Sequence, residues 1–423
     1  MRSLAIITIL LLGLVGGSLA QEIRGEILTN PVALRYGLEN AWMVQAHIDR
    51  AVDHMSGLAL EGDGLFVLTK TGTLQMIDAE TGATRWIVQP GNRLHPASGP
   101  AAGERYVAMT QGDQLYVFDR ATGELLLQKR LQHVATASPT VGGESIYVPL
   151  FNGMIVAYDM QRPRGSPWYY RASGHVNIPP LVTPNCLAWT TNLGRLFAST
   201  PNQLKMRFQF RANGPIVAPL GYESPLIFAT SRDGFAYAIN ENTGRLAWRF
   251  AAGDAVSHEP VAIRGSVFIV PEVGGMYCLA SDTGQQRWYA PRAKQFLSAS
   301  PARTAPAGNK APAAPPTLGR VYAADDAGNT MILDANSGAR LDTIPTAMVP
   351  WKFTNAFNDR IYLGIRSGMI QCLHEIGLQQ PTSYRSAAAT AAPPPEGTEA
   401  GSEAAPAGET SDEPAERDPF DEP

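Results

Sequence analysis

The chain has 423 residues, 44% of them hydrophobic and 17% charged, enough apolar material for one large repeat domain or for up to three ordinary domains. Gly (40) and Pro (33) are abundant, as expected where many strands are joined by many turns. The net charge is only −4, which leaves no electrostatic footprint for a nucleic-acid partner.

Residues 1–20 read as a secretory signal peptide. Arg2 supplies the positive start, residues 5–15 form an apolar run too short to span a bilayer, and Ser18-Leu19-Ala20 places small residues at a cleavage point before Gln21. No Cys stands there, so no lipid attachment is expected, and no second apolar run has spanning length. The mature chain is therefore expected to be soluble, without a membrane span, in the periplasm or outside the cell. Residues 21–37 are a lead-in.

From 38 to 377 one unit recurs. A glycine opens its second apolar run at Gly72, Gly112, Gly153, Gly194, Gly234, Gly275, Gly328 and Gly368, a step of 40 or 41 residues apart from one of 53. That long step holds a Pro/Ala-rich stretch, 301–319, expected as an inter-blade loop. Short apolar runs such as LFVLTK, IYVPLF and VFIVPE alternate with turns rich in Gly, Asp and Asn. Four strands per unit and eight units predict an all-β, eight-bladed β-propeller. The eighth unit lacks a fourth strand, because after 369–377 the chain passes into QQPTSYRS. Residues 38–46 are expected to supply it, with Trp42 in the place of the unit's Trp, since an open ring leaves sheet edges and apolar contacts exposed.

A turn phrase, D-x-x-T-G followed by Trp, punctuates the units: Asp78, Thr81, Gly82 and Trp86; Asp119, Thr122 and Gly123; Thr243, Gly244 and Trp248; Thr283, Gly284 and Trp288. Asp and Thr can hydrogen-bond the backbone of a tight turn, Gly takes a positive φ, and Trp can wedge between neighbouring blades. The phrase reads as structural. Trp168 also holds the Trp place, whereas Leu127 and Phe208 occupy it in two units that depart from the pattern.

The segments GTLQMIDAETGATRW and GFAYAINENTGRLAW resemble the repeats of pyrroloquinoline quinone (PQQ) quinoproteins and of their non-catalytic relatives of the BamB type. The resemblance covers roughly 38–377 and implies the propeller fold. The quinoprotein dehydrogenases it also implies use adjacent cysteines, a calcium ion held by acidic and amide ligands, and an Asp base. Here Cys186, Cys278 and Cys372 are far apart in strand-like contexts and read as buried free thiols. No hydrolase, zinc-protease or phosphate-loop motif is present, and Asp325 and Asp326 in YAADDAGN read as a turn. No catalytic residue, cofactor or metal is expected.

Five of the seven histidines, His54, His95, His133, His175 and His258, fall near the start of a unit. They are candidates for a ring at one channel mouth that binds a ligand or responds to pH. Varying loop offsets are the plainer reading. Residues 386–423 carry ten acids and one base, Arg417, in an Ala/Pro/Glu-rich composition expected to be disordered; 21–385 has 32 bases and 28 acids. This mildly basic remainder offers one place for the tail to dock, although a solvated spacer is the simpler expectation. The leading expectation is a monomeric, non-catalytic scaffold binding an envelope or secreted protein. An outer-membrane assembly role, a small-ligand or quinone site in the channel mouth, and a structural wall component are the alternatives.

Overall fold

A computed structural model describes residues 27–201, 205–302 and 317–384. The signal peptide expected at 1–20, the acidic tail at 386–423 and the interior of 301–319 lie outside them.

The described strands form eight four-stranded antiparallel sheets, the blades of a propeller. Seven blades take four consecutive strands: 55–88, 97–130, 140–171, 181–211, 221–251, 261–290 and 293–344. The eighth combines Trp351–Lys352, Ile361–Gly364 and Met369–Glu375 with the N-terminal strand β1 (Leu38–Gln45) on its outer edge. β1 runs antiparallel to Met369–Glu375, with Trp42 opposite Cys372, so the ring closes as the incomplete last unit requires. Central strands such as Gly64–Thr69 are buried at every position because a blade packs on each side of them. Outer strands such as Leu125–Arg130 are largely exposed.

Antiparallel order sorts the connections onto two faces. The loops entering each blade and its second-to-third turns share one face, here the entry face; the other turns share the opposite, turn face. Pro301 pairs with Leu318, so the Pro/Ala-rich insertion opens inside the seventh blade, between its first two strands. The expectation of an inter-blade loop is corrected accordingly: the chain leaves and re-enters the same blade around the insertion, and the blade-to-blade connection after it keeps its ordinary length.

The recurring Trp locks its blade to the next. Its Nε1 donates to a carbonyl in the neighbour's turn: Trp42 to Ala79 (3.0 Å), Trp86 to Arg120 (2.8 Å), Trp248 to Ser281 (2.8 Å) and Trp288 to Ala335 (2.8 Å). Each indole covers the glycine of that turn. A Cβ at Gly82, Gly123, Gly284 or Gly338 would lie 2.8, 2.8, 2.5 or 2.6 Å from the ring, and Phe208 covers Gly244 in the same way. Leu127 and Asp342 hold the Trp position where the following blade has no T-G turn to receive an indole. Trp168 also precedes such a blade; it keeps the register, opposite Ala157, and packs half-buried against Tyr147 and Tyr170.

At the Asp342 seam the lead-in fills the gap. Leu28 and Ala33, the latter on helix α1 (Asn30–Arg35), are buried with Leu38, Leu297 and Tyr322, and the Gln371 amide clips both backbone groups of Leu28 at 2.8 Å. At the other end of the chain, residues 376–384 cross the turn face of three blades. Arg360 donates to the Leu378 and Gln379 carbonyls (2.8 and 2.6 Å), the Tyr384 hydroxyl donates to Ala299 O (2.7 Å), and the Arg264 guanidinium lies 5.1 Å from the centre of the Tyr384 ring.

Candidate functional site: the entry face

All five expected histidines lie on entry-face loops. His54 is half-buried, and its carbonyl accepts from Lys70 N (3.0 Å). His95, His133, His175 and His258 are exposed. The His95 ring lies against Gly112, His175 Nδ1 is 3.1 Å from Phe151 O, and His258 Nδ1 is 3.3 Å from Val270 O. The imidazoles of His95, His175 and His258 are thus set on turns of their own or an adjoining blade. Among the described residues, no group of three or more His, Cys, Asp or Glu is placed to hold a metal ion.

A second property of this face is apolar exposure. Val52, Leu94, Val134, Phe151, Leu193, Val217, Val273 and Met348 are large hydrophobic residues in its loops, with Leu94 87% and Met348 93% exposed. The other exposed large hydrophobics lie on outer strands, save Leu34 and Ile376 beside the closing seam. Part of this set is contiguous. Phe151 N–H donates to Val134 O (3.0 Å), the Phe151 and His175 rings are 5.7 Å apart, and a Cβ at Gly174 would lie 3.1 Å from Leu193 Cγ. Val134, Phe151, His175 and Leu193 therefore run together across the third and fourth blades. Strand periodicity missed these residues, because the only signal was a large apolar side chain inside a turn, as in FNG and TNLG.

A cleft of about 570 Å³ opens on the same face at blades six to eight, over Phe268, Phe296 and Val349, with His258, Glu259 and Lys352 at its edge. Its charges are engaged locally. Lys352 Nζ donates to Thr346 O (3.0 Å) and Val349 O (2.6 Å), and burial lowers its pKa. Asp325 accepts from Ala327 N (3.0 Å) and Asn329 N (2.7 Å), while Asp326 pairs with Arg292 at 2.7 Å, so both acids serve the turn and an ion pair. The three cysteines are free and buried; burial pushes the Cys278 thiol up to about 11 and the Cys372 thiol up to about 12, which suppresses thiolate chemistry.

Repeat, closure and loop face together define an eight-bladed propeller of PQQ-like repeats. The PQQ_2 family profile, described as "Outer membrane protein assembly factor BamB", matches residues 70–177 and 186–351, and the chain belongs to that family. BamB from Moraxella catarrhalis is similar in fold, with TM-score 0.62 at 15% identity over 80% of this chain and 98% of that one. The computationally designed Ika8 protein has TM-score 0.59 at 14% identity, over 76% of this chain and 96% of the design. The Pan2 WD40 domain of Neurospora crassa has TM-score 0.50 at 10% identity, over 82% and 98%. No curated protein matches the sequence.

Proposed function

We propose that the protein is a non-catalytic scaffold of the cell envelope that engages a partner protein through its entry face. The observation that carries this reading is the concentration of exposed large apolar side chains in the loops of that face. Contiguous exposed apolar surface marks interaction sites, and a rigid ring presents it at little conformational cost. Family membership supports an envelope location, and the signal peptide read at 1–20 supports export. The widely spaced, buried cysteines argue against quinoprotein chemistry.

The test is recovery of the partner from the native envelope by tagged full-length protein, compared with F151E/L193E. Both sites are more than half exposed, so the variant is expected to melt like the parent yet lose the partner. Equal recovery by parent and variant would overturn the reading. A role in outer-membrane protein assembly is the specific version favoured by the family match. Its test is the amount of outer-membrane barrel protein after depletion of this chain: a fall is expected, and unchanged levels would remove it.

A further inference from the structure

Residues 21–385 have 32 bases and 28 acids, but the positive excess is concentrated in one sector. Residues 140–211, the third and fourth blades, contain seven Lys and Arg against two acids, Glu144 and Asp159. Glu144 already accepts from the Tyr106 hydroxyl (2.6 Å) and lies 3.5 Å from Arg105 of the preceding blade. Among the described residues, Asp159–Arg162 (3.0 Å) is the single ion pair whose base belongs to these two blades. Elsewhere ion pairs are more frequent; Arg85, for instance, lies between Asp63 and Asp78, and Arg120 also meets Asp63.

The bases are arranged along the outer flank. Arg162 and Arg164 are exposed on the loop before the outer strand Trp168–Arg171, and Arg171 ends that strand. Lys205 and Arg207 stand at the start of the neighbouring outer strand Met206–Arg211, and Arg211 ends it. Arg211 is also the direct cross-strand partner of Arg195. Like charges opposite one another on a sheet oppose folding, so this pair is an arrangement that stability does not favour and an anion would offset. Beside the loop lies a cleft of about 380 Å³ lined by Tyr158, Gln161, Arg162 and Trp168.

We infer that the outer flank of the third and fourth blades binds an acidic polypeptide segment. All but one of the seven bases are arginines, whose planar guanidinium grips a carboxylate with two parallel hydrogen bonds. They run from one end to the other of the outer strands of two neighbouring blades, beside exposed Tyr169 and half-buried Trp168. An extended acidic chain can follow that curved line and use the aromatic cleft, whereas a flat anionic surface meets only part of it. The chain's own residues 386–423, with ten acids, have the complementary composition. The inference rests on the scaffold reading; the line of bases reaches the rim of the entry face at Arg195 and Arg211, close to Leu193, but does not include the apolar loop residues, so different variants test the two.

The experiment uses full-length protein with the acids of 386–423 replaced by their amides, so that the chain's own tail does not compete. Binding of a labelled peptide carrying residues 396–422, and of phosphatidylglycerol vesicles, is measured across a salt series. The expected result is peptide binding that weakens steeply with salt and falls about tenfold in R164E/R211E but not in the uncharged variant F151N/L193N. R211E, which relieves the pairing with Arg195, is expected to melt no lower than the parent. Absence of peptide binding at low salt, or binding unchanged by R164E/R211E, would overturn the inference. Vesicle binding without peptide binding would overturn it in favour of a membrane surface, and loss in F151N/L193N would move the site to the entry face.

Discussion

At the scale of single residues, the turn glycines answer to two constraints. Gly82 has φ +73° and lies under the Trp42 indole, whereas Gly143 has φ +57° and open space around its Cβ position. Gly143→Ala meets only the backbone cost, about 1 kcal/mol. Gly82→Ala must also displace the Trp lock, so a loss of about 2–4 kcal/mol is expected. Equal losses in denaturant titrations would show that the indole adds nothing. The turn acid has its own signature. The Ser337 hydroxyl and N–H hold the Asp334 carboxyl below the usual carboxylate range. The resulting stabilisation is present above the unfolded pKa of about 4 and is lost as pH falls through the lower folded value. Asn240 accepts the equivalent bonds from Asn242 N, Thr243 N and the Thr243 hydroxyl without a charge. Asp334→Asn is therefore expected to fold with a flatter stability profile below about pH 4; profiles parallel to the parent's would contradict this. The chemistry of this turn was legible in the phrase itself. Its coupling to the Trp of the preceding blade was not, because donor and acceptor lie more than thirty residues apart.

At the scale of elements, closure by β1 could be read from a last unit one strand short and a Trp-bearing segment before the first unit. The strap at 376–384 could not. QQPTSYRS has no periodicity, and its anchors, Arg360, Ala299 and Arg264, come from three blades. The likewise undetected Leu28 plug is a single residue held by Gln371. The strap spans the inner strands' ends in blades six to eight and so acts as a second fastening beside β1. A full-length Tyr384→Ala chain loses the hydroxyl bond to Ala299, the ring under Arg264 and buried aromatic area. Its melting temperature is expected to fall by about 5 °C, with faster amide exchange in 353–364. Unchanged melting and exchange would show that the segment only rests on the surface.

At the scale of the whole ring, the two faces differ in kind. The turn face is built from Asp-, Thr- and Gly-rich turns, while the entry face carries histidines and exposed apolar loops. Histidine spacing marked that face from sequence alone, since each residue falls just before a unit begins. The apolar loop residues were invisible to strand periodicity, and their common face follows only from the up-and-down strand order. The proposed role requires that this face meet a partner protein. It is tested most directly by a photo-crosslinking amino acid placed in living cells at Phe151, at Leu193 and, on the turn face, at Glu80. Contact through the entry face predicts a reproducible adduct with one envelope protein from Phe151 and Leu193 and none from Glu80. Adducts from Glu80 alone, or from none of the three positions, would contradict it.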